Sequence, residues 1–153
     1  MRSYYVITVA ALLSGCAASG PTFVASPSSS NQSIIYLFRP AKFANGGSSP
    51  DVVLDGKKVG SLKNGGYIPL SVSPGPHTLE IPFNAWNWDV RCASVTLQVG
   101  GGTSHYVAMD TDASLSVVAA SKTPMTYVSR QCQLIELPAA QALPLIEQTR
   151  KSD

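Results

Sequence analysis

Short apolar runs, separated by residues that favour turns, dominate the chain from residue 34 onward. In residues 77–83 apolar and polar side chains alternate, which is typical of a strand with one buried face. The clearest hairpin signal is Asp55-Gly56 between two such runs, because a type I′ turn needs a positive φ at both central residues. We therefore predict strands at residues 34–39, 51–54, 57–62, 67–72, 77–83, 90–99, 104–110, 115–119 and 126–137.

The end of the chain changes to a helical pattern. Leu143, Ile146 and Arg150 share one face of a helix predicted over residues 139–150, although Pro144 limits its first turns. Because the strands recur without alternating helices, we predict a mainly β fold. It would be a single antiparallel β-sandwich, Ig-like or prealbumin-like, spanning residues 34–150, with a short C-terminal helix that protects a sheet edge.

The beginning of the chain has a third pattern. Arg2 supplies a positive charge, and the apolar stretch after it ends in Leu-Ser-Gly-Cys at residues 13–16. This stretch is too short for a membrane-spanning helix, which needs about 20 residues, but it is typical of a secretory signal. Leu-Ser-Gly-Cys resembles the lipobox of bacterial lipoproteins. The resemblance implies that residues 1–15 are removed as a signal peptide and that lipid, such as palmitate, is attached to Cys16.

Residues 16–33 are predicted to be the lipidated cysteine and a Ser-rich tether. The segment is uncharged and poor in large side chains, so it buries too little surface to fold by itself. A flexible chain of this length reaches roughly 20–25 Å, which would keep the domain near its membrane. Thr22-Phe23-Val24 is the exception, and we expect it to dock on the domain or on the lipid surface. Position 17 is Ala17, whereas Asp there commonly marks inner-membrane retention in the lipoproteins that the motif resembles. We therefore expect a periplasm-facing domain on the inner leaflet of the outer membrane.

Composition indicates which classes of partner are not favoured and whether the cysteines are oxidised. Charged residues form only 13% of the chain and the formal net charge is +2, so neither nucleic-acid binding nor basic attraction to a membrane is favoured. With Cys16 assigned to lipid, Cys92 and Cys132 remain as an even pair in an oxidising compartment, and we predict that they form a disulfide. Two buried free thiols are the alternative. Cys92 is also out of phase with Val95, unless a bulge near Ser94 or an outward-facing cysteine intervenes.

The chain contains no sequence motif of an enzyme or a metal site. His77 and His105 are its only histidines, and they lack the three or four ligands of a transition-metal site. Asp110 and Asp112 could supply oxygen ligands, but the rest of a calcium loop is missing. Nucleophile elbows and phosphate-binding glycine loops are missing as well. We therefore predict no metal, no cofactor and no catalysis, and we expect His77 to cap the turn after Pro-Gly-Pro or to pack at a strand start.

Trp86 and Trp88, in one polar loop, are the best candidates for a binding surface. Aromatic side chains on such a loop can stack on sugars, peptides or a partner protein with little loss of entropy. In the alternative, at least one of them folds back as a lid over the end of the sandwich. Arg39 could bind an anion, but we expect it to pair with Asp51 or Asp55.

Several motifs between residues 34 and 110 resemble a family of uncharacterised bacterial lipoproteins whose shared domain has no assigned function. The motifs are Ile-Tyr-Leu-Phe-Arg-Pro at 35–40, Val-Val-Leu-Asp-Gly-Lys-Lys-Val-Gly at 52–60, Asn-Gly-Gly-Tyr at 64–67, Pro-Gly-Pro-His-Thr-Leu at 74–79 and Gly-Thr-Ser-His-Tyr-Val at 102–107. The same turn signatures are similar to those of PEGA-type and carboxypeptidase regulatory-like domains. The resemblance implies a periplasm-facing β-sandwich and carries over no catalytic residues.

Together these observations predict a membrane-anchored, non-enzymatic lipoprotein of the cell envelope. Its sandwich would be an interaction or scaffold module for an envelope protein partner, with the lipid on Cys16 as its contact with the membrane. The alternative is a ligand-binding lipoprotein for envelope glycan or another small molecule.

Overall fold

The computed structural model describes residues 17–43, 45–118 and 125–152, and the side chains of 17–43, 45–111 and 131–152. The signal peptide predicted at 1–15 and the lipid site at Cys16 lie outside these residues. Among the described elements, no helix is long and apolar enough to cross a membrane. The elements are β1 (Ser33–Arg39), β2 (Asp51–Leu54), β3 (Lys57–Ser61), β4 (Gly66–Val72), β5 (Gly75–Glu80), β6 (Val95–Val99), β7 (Ser104–Val118), β8 (Met125–Leu137), α1 (Ala139–Ile146) and β9 (Arg150–Lys151).

The strands form two sheets, which confirms the predicted mainly β sandwich with a short C-terminal helix. One sheet has the order β8-β7-β1-β4-β9, and the other has the order β3-β2-β5-β6. The first sheet is mixed, because β1 pairs in parallel with β7, and β4 with β9, in addition to the antiparallel pairs that we predicted. The chain passes through the whole second sheet between β1 and β7, and a connection of that length permits parallel neighbours where a hairpin does not.

Strand β1 lies at the centre of the five-stranded sheet and is buried along its whole length. Ile35 and Leu37 belong to the core between the two sheets. The alternate residues Ile34, Tyr36 and Phe38 belong to a second core on the other face, which α1 covers with Ala142 and Ile146. A strand that is covered on both faces is expected to be a nearly continuous apolar run, as β1 is.

Turn chemistry sets several strand boundaries. Asp55 and Gly56 have φ values of 50° and 77°, as the predicted type I′ hairpin between β2 and β3 requires. The strand predicted over residues 90–99 begins only at Val95, so Cys92 precedes it and its phase relative to β6 needs no bulge. The two strands predicted on either side of residue 112 are one strand, β7, which pairs with β8 along nearly its whole length.

The helix is shorter than predicted. It ends at Ile146, where the Thr149 hydroxyl donates a hydrogen bond to the Ile146 carbonyl at 2.6 Å. Arg150 and Lys151 then pair with the start of β4 as the edge strand β9. The helix was predicted to extend to residue 150 because periodicity alone does not reveal that Arg150 and Lys151 pair with a strand.

Residues 17–32, the described part of the predicted tether, contact the sandwich at several points. The Phe23 ring packs edge-on against Tyr36 and Tyr67, with ring centroids 5.1 and 5.3 Å apart. The Ser26 N–H donates to the Tyr36 hydroxyl at 2.7 Å. Phe23 therefore docks on the domain, because the aromatic outer face of β1 and β4 allows its ring to be partly buried.

Candidate functional site

The loop from Asn84 to Trp88 separates the two tryptophans. Asn84 and Trp88 exchange backbone hydrogen bonds at 2.8 and 2.6 Å, and the Trp86 N–H donates to the Asn84 side-chain oxygen at 3.0 Å. This tight turn leaves Trp86 99% exposed and Trp88 1% exposed. The two residues therefore do not form a joint binding site. Trp88 is the lid over the sandwich, and Trp86 alone is available to a ligand or partner.

Arg39 lies beneath this lid and is completely buried. Its guanidinium donates to the carbonyl oxygens of Ser48 at 2.7 Å and Asn45 at 2.6 Å, and it lies 5.2 Å from the centre of the Trp88 ring. Burial lowers the pKa of Arg39 to about 10, so the side chain still carries its charge at neutral pH. Arg39 therefore fixes the loop after β1 and is not open to an anion from solvent.

The carboxylates that we expected to pair with Arg39 have other partners. Asp51 accepts a hydrogen bond from the Ser61 hydroxyl at 2.8 Å and forms an ion pair with Lys58 at 2.9 Å. The hydrogen bond from Lys58 is the largest cause of the lowered pKa of Asp51. Asp55 pairs with His77. The prediction for Arg39 is wrong because the guanidinium points into the loop after β1, where its two terminal nitrogens donate to backbone carbonyls and no carboxylate among the described residues is within reach.

His77 caps a turn, which is one of the two structural roles that we expected for it. Its Nδ1 lies 2.7 Å from an Asp55 carboxylate oxygen, and its Nε2 lies 2.8 Å from the Ser73 carbonyl oxygen. The second Asp55 oxygen accepts the Thr78 N–H at 2.8 Å. Because both ring nitrogens face acceptors, the hydrogen bond to Asp55 and then that to Ser73 raise the pKa of His77, and the same contact with His77 lowers that of Asp55.

This arrangement predicts a pH-dependent contribution to stability. A raised pKa in the folded state means that the His77 contribution is complete below its ordinary pKa of 6.5 and is lost as pH rises through the folded value. Since the Asp55 side chain is 47% exposed, solvent screens the pair and we expect less than about 1 kcal/mol. Urea unfolding of wild type and His77→Gln at about pH 5.5 and about pH 8.5 measures it, and the difference should be larger at the lower pH. Equal differences at both pH values would contradict the ion pair.

A groove of about 640 Å³ lies between the end of β6 and the paired strands β7 and β8. On its wall, His105 Nδ1 lies 2.7 Å from a Glu136 oxygen and His105 Nε2 lies 3.0 Å from the Thr103 hydroxyl. Hydroxyl, imidazole and carboxylate in this order resemble a nucleophile with its base and orienting acid. The Thr103 hydroxyl, however, also lies 2.9 Å from the Gly100 carbonyl and donates to it. It has one hydrogen, so it is held in the turn instead of being activated, and the groove presents fixed polar groups that suit binding.

Sequence reasoning missed this groove because it considered His105 only as a metal ligand. The Thr-x-His spacing places both side chains on one face of a strand, which is a signal that could have been used. The contribution of Glu136 depends on the register of β7 with β8, in which Tyr106 pairs with Leu137 and Val107 with Glu136. No local pattern in the chain specifies that register.

The residues considered for a metal site are not brought together. His77 lies in the four-stranded sheet and His105 in the five-stranded sheet, each with its own carboxylate. Asp110 forms an ion pair with Lys42 at 2.6 Å. The side chain of Asp112 is not among the side chains that the structure describes. Within the described part of the chain, no three His, Cys, Asp or Glu side chains are grouped to hold a metal ion.

The predicted disulfide between Cys92 and Cys132 is confirmed. Their Cα atoms lie 4.6 Å apart, and the two residues form an isolated bridge between the segment before β6 and strand β8. The Cys132 side chain is buried in the core between the sheets, and Cys92 packs against the same core. The disulfide therefore joins the segment that leads into β6 of the four-stranded sheet covalently to β8 of the five-stranded sheet.

The fold and the sites described above define a two-sheet β-sandwich in which Arg39 is buried, Trp86 is exposed and a polar groove lies beside β6. The family described as "Protein of unknown function (DUF2846)" matches residues 29–124, so the chain belongs to that family. This confirms the expectation of an uncharacterised family. Comparisons with curated proteins and with solved structures gave no match.

Proposed function

We propose that this chain is a lipoprotein of the cell envelope, anchored through lipid on Cys16, whose sandwich is a non-enzymatic interaction or scaffold module. We place it on the inner leaflet of the outer membrane, facing the periplasm. The charged and apolar start of the chain and its Leu-Ser-Gly-Cys motif support export and anchoring. The disulfide between the two remaining cysteines is consistent with an oxidising compartment.

The observation that carries the proposal is the docking of the backbone next to Cys16. Ala17 forms a bridge with Asn64, the Ala18 N–H donates to the Asn64 carbonyl at 3.1 Å, and the Ala18 side chain is buried. A lipid on the neighbouring Cys16 would therefore hold the folded domain itself, with no free linker between them. Such a coupling favours a role in which the domain is kept at a membrane surface to organise a partner.

The surface best suited to a protein partner is the edge of the four-stranded sheet at β6. The opposite edge strand, β3, carries the exposed residues Lys57 and Lys58, which oppose pairing with another strand. Strand β6 is uncharged, exposes Thr96 and Gln98, and borders the groove that contains His105. An extended segment of a partner could pair with β6 and place side chains in that groove.

The alternative function is binding of envelope glycan or another small molecule in the same groove. The observation that favours it is the fixed array of Thr103, His105 and Glu136, since hydroxyl-rich ligands are recognised by polar groups held in place by their neighbours. Both functions use the groove, so the experiment has to identify what occupies it.

Anchoring is tested by intact mass and fractionation of the full chain expressed in a bacterial host. We expect the membrane-extracted protein to lack residues 1–15 and to carry acyl mass and the disulfide. We expect Cys16→Ser to carry no acyl mass and to leave the envelope pellet. A wild-type protein that retains Met1, or a serine variant that pellets like its parent, would show that the anchor is wrong.

The interaction is tested by a photocrosslinking residue at Gln98 in the lipidated protein. We expect one protein adduct of constant stoichiometry, and none from the same residue at Val59 on the opposite edge strand. Binding of soluble cell-wall fragments, lost in Glu136→Gln and without a protein adduct, would favour the glycan alternative. If the protein gives no adduct and binds no cell-wall fragment, both functions are contradicted.

A further inference from the structure

Two aromatic side chains are almost entirely in solvent. Phe43 has a relative exposure of 105% and Trp86 of 99%, the highest values among the exposed large hydrophobic side chains that the structure describes. Soluble surfaces carry single exposed apolar residues as a matter of course, but two aromatic residues of this exposure at one place indicate a contact surface.

Phe43 and Trp86 lie on two loops that are bonded to each other. The Asn87 side chain donates to the Ser49 carbonyl at 2.6 Å and accepts the Ser49 N–H at 3.2 Å. The buried Arg39 fixes both loops, because it donates to carbonyls of the first loop and faces the Trp88 ring of the second. Both exposed rings are therefore presented at the same end of the sandwich.

The chain leaves toward Cys16 at this same end. The Asn64 side chain clamps the Lys42 backbone, accepting its N–H at 3.0 Å and donating to its carbonyl at 2.9 Å. The Asn64 backbone holds Ala17 and Ala18. These contacts place the Cα atoms of Phe43 and Ala17 within roughly 15 Å of each other.

We propose that this end of the sandwich rests on the membrane that holds Cys16, with the Phe43 and Trp86 rings in its interfacial layer. The inference rests on the proposed anchoring. Cys16 and Ala17 are neighbours, with Cα atoms about 3.8 Å apart, so the acyl chains enter the membrane directly beside the docked residues. Aromatic rings beside a lipid anchor gain contact with the boundary between headgroups and acyl chains, and a second weak attachment makes anchoring more stable.

Lys42, the residue before Phe43, is paired within the protein and does not require an anionic membrane. The Lys42 ammonium is held by the Asp110 carboxylate at 2.6 Å and donates to the Thr111 carbonyl at 2.9 Å. Attraction through the two rings is apolar and does not depend on lipid charge. The groove with His105 lies near the start of β7, which is level with the start of β1 and thus at the other end of the sandwich, where it faces away from the membrane.

The test uses the lipidated protein in phosphatidylcholine vesicles with brominated acyl chains, which quench nearby indoles. The Trp86 emission, taken as the difference between wild type and Trp86→Phe, should fall by more than about twofold relative to vesicles without bromine. Trp88 is 1% exposed and supplies the constant background. In the Trp86→Phe background, Phe43→Trp should restore the quenching, and Lys57→Trp, beside the hairpin at the opposite end, should not.

The outcomes separate the orientation from the anchor. Acylated protein in which neither Trp86 nor the Phe43→Trp indole is quenched would overturn the orientation and leave the anchor intact. Equal quenching of the Lys57→Trp indole would also overturn it, because the opposite end would then be in contact with lipid. Protein without acyl mass at Cys16 would overturn both.

Discussion

Replacing Cys92 and Cys132 together with alanine is expected to lower the free energy of unfolding by about 4 kcal/mol. The two residues are separated by 40 positions, so the disulfide closes a loop that includes β6, β7 and part of β8. In the chain-entropy description, breaking the bond returns the freedom of that loop to the unfolded chain and leaves the folded state less favoured. Denaturant unfolding of the oxidised wild type and of the double variant measures the difference.

Reduced wild type is the control, because it loses the bond and keeps both sulfur atoms in place. If the bond dominates, the reduced protein and the double alanine variant should be destabilised to a similar extent. An additional loss in the variant reports the cavity left near Cys132, which is buried at 6% exposure. A loss below about 1 kcal/mol in both would contradict a stabilising crosslink between the sheets.

The features that could be predicted from the sequence are those that depend on near neighbours or on counting. The hairpin at Asp55-Gly56 was predictable because few residues adopt positive φ at two successive positions. The disulfide was predictable because an even pair of cysteines remained after Cys16 was assigned to lipid. The sandwich was predictable because short apolar runs recur with turn signals between them.

The features that were missed depend on pairing between distant segments. The parallel pairing of β1 with β7 has no local signal, since each strand has the same apolar character beside any neighbour. Strand β9 consists of Arg150 and Lys151, which carry no β preference and pair because the chain returns to β4. The sequence could not decide whether Phe23 docks on the domain or on lipid, because its partners Tyr36 and Tyr67 come together only after β1 and β4 have paired.

The candidate site shows the same division. Trp86 and Trp88 are two positions apart, a spacing that would place them on one face of a strand. The backbone hydrogen bonds between Asn84 and Trp88 form a tight turn instead and direct the two rings to opposite environments. Arg39 was expected to pair with Asp51 or Asp55, but it occupies a buried position with carbonyl acceptors and an aromatic neighbour.

Trp88→Ala is therefore expected to lower the free energy of unfolding by about 3–5 kcal/mol, and Trp86→Ala by less than about 0.5 kcal/mol. Trp88 packs in the core between the sheets and covers the buried guanidinium of Arg39. Its removal leaves a cavity and opens the charged group to the space where the ring was. Trp86 has no such surroundings, so the same substitution two positions away is a matched control within one loop.

Trp88→Phe separates packing from the other contributions. The Trp88 Nε1 has no hydrogen-bond partner among the described residues, so phenylalanine loses no hydrogen bond and keeps an aromatic face toward Arg39. We expect an intermediate loss of roughly 1–2 kcal/mol from the smaller ring, measured by the same denaturant unfolding. If Trp86→Ala and Trp88→Ala were equally destabilising, the assignment of one ring to the core and the other to a contact surface would be wrong. The proposed membrane contact of Trp86 would then lose its structural basis, because a ring that is needed for folding is not free to leave the protein for lipid.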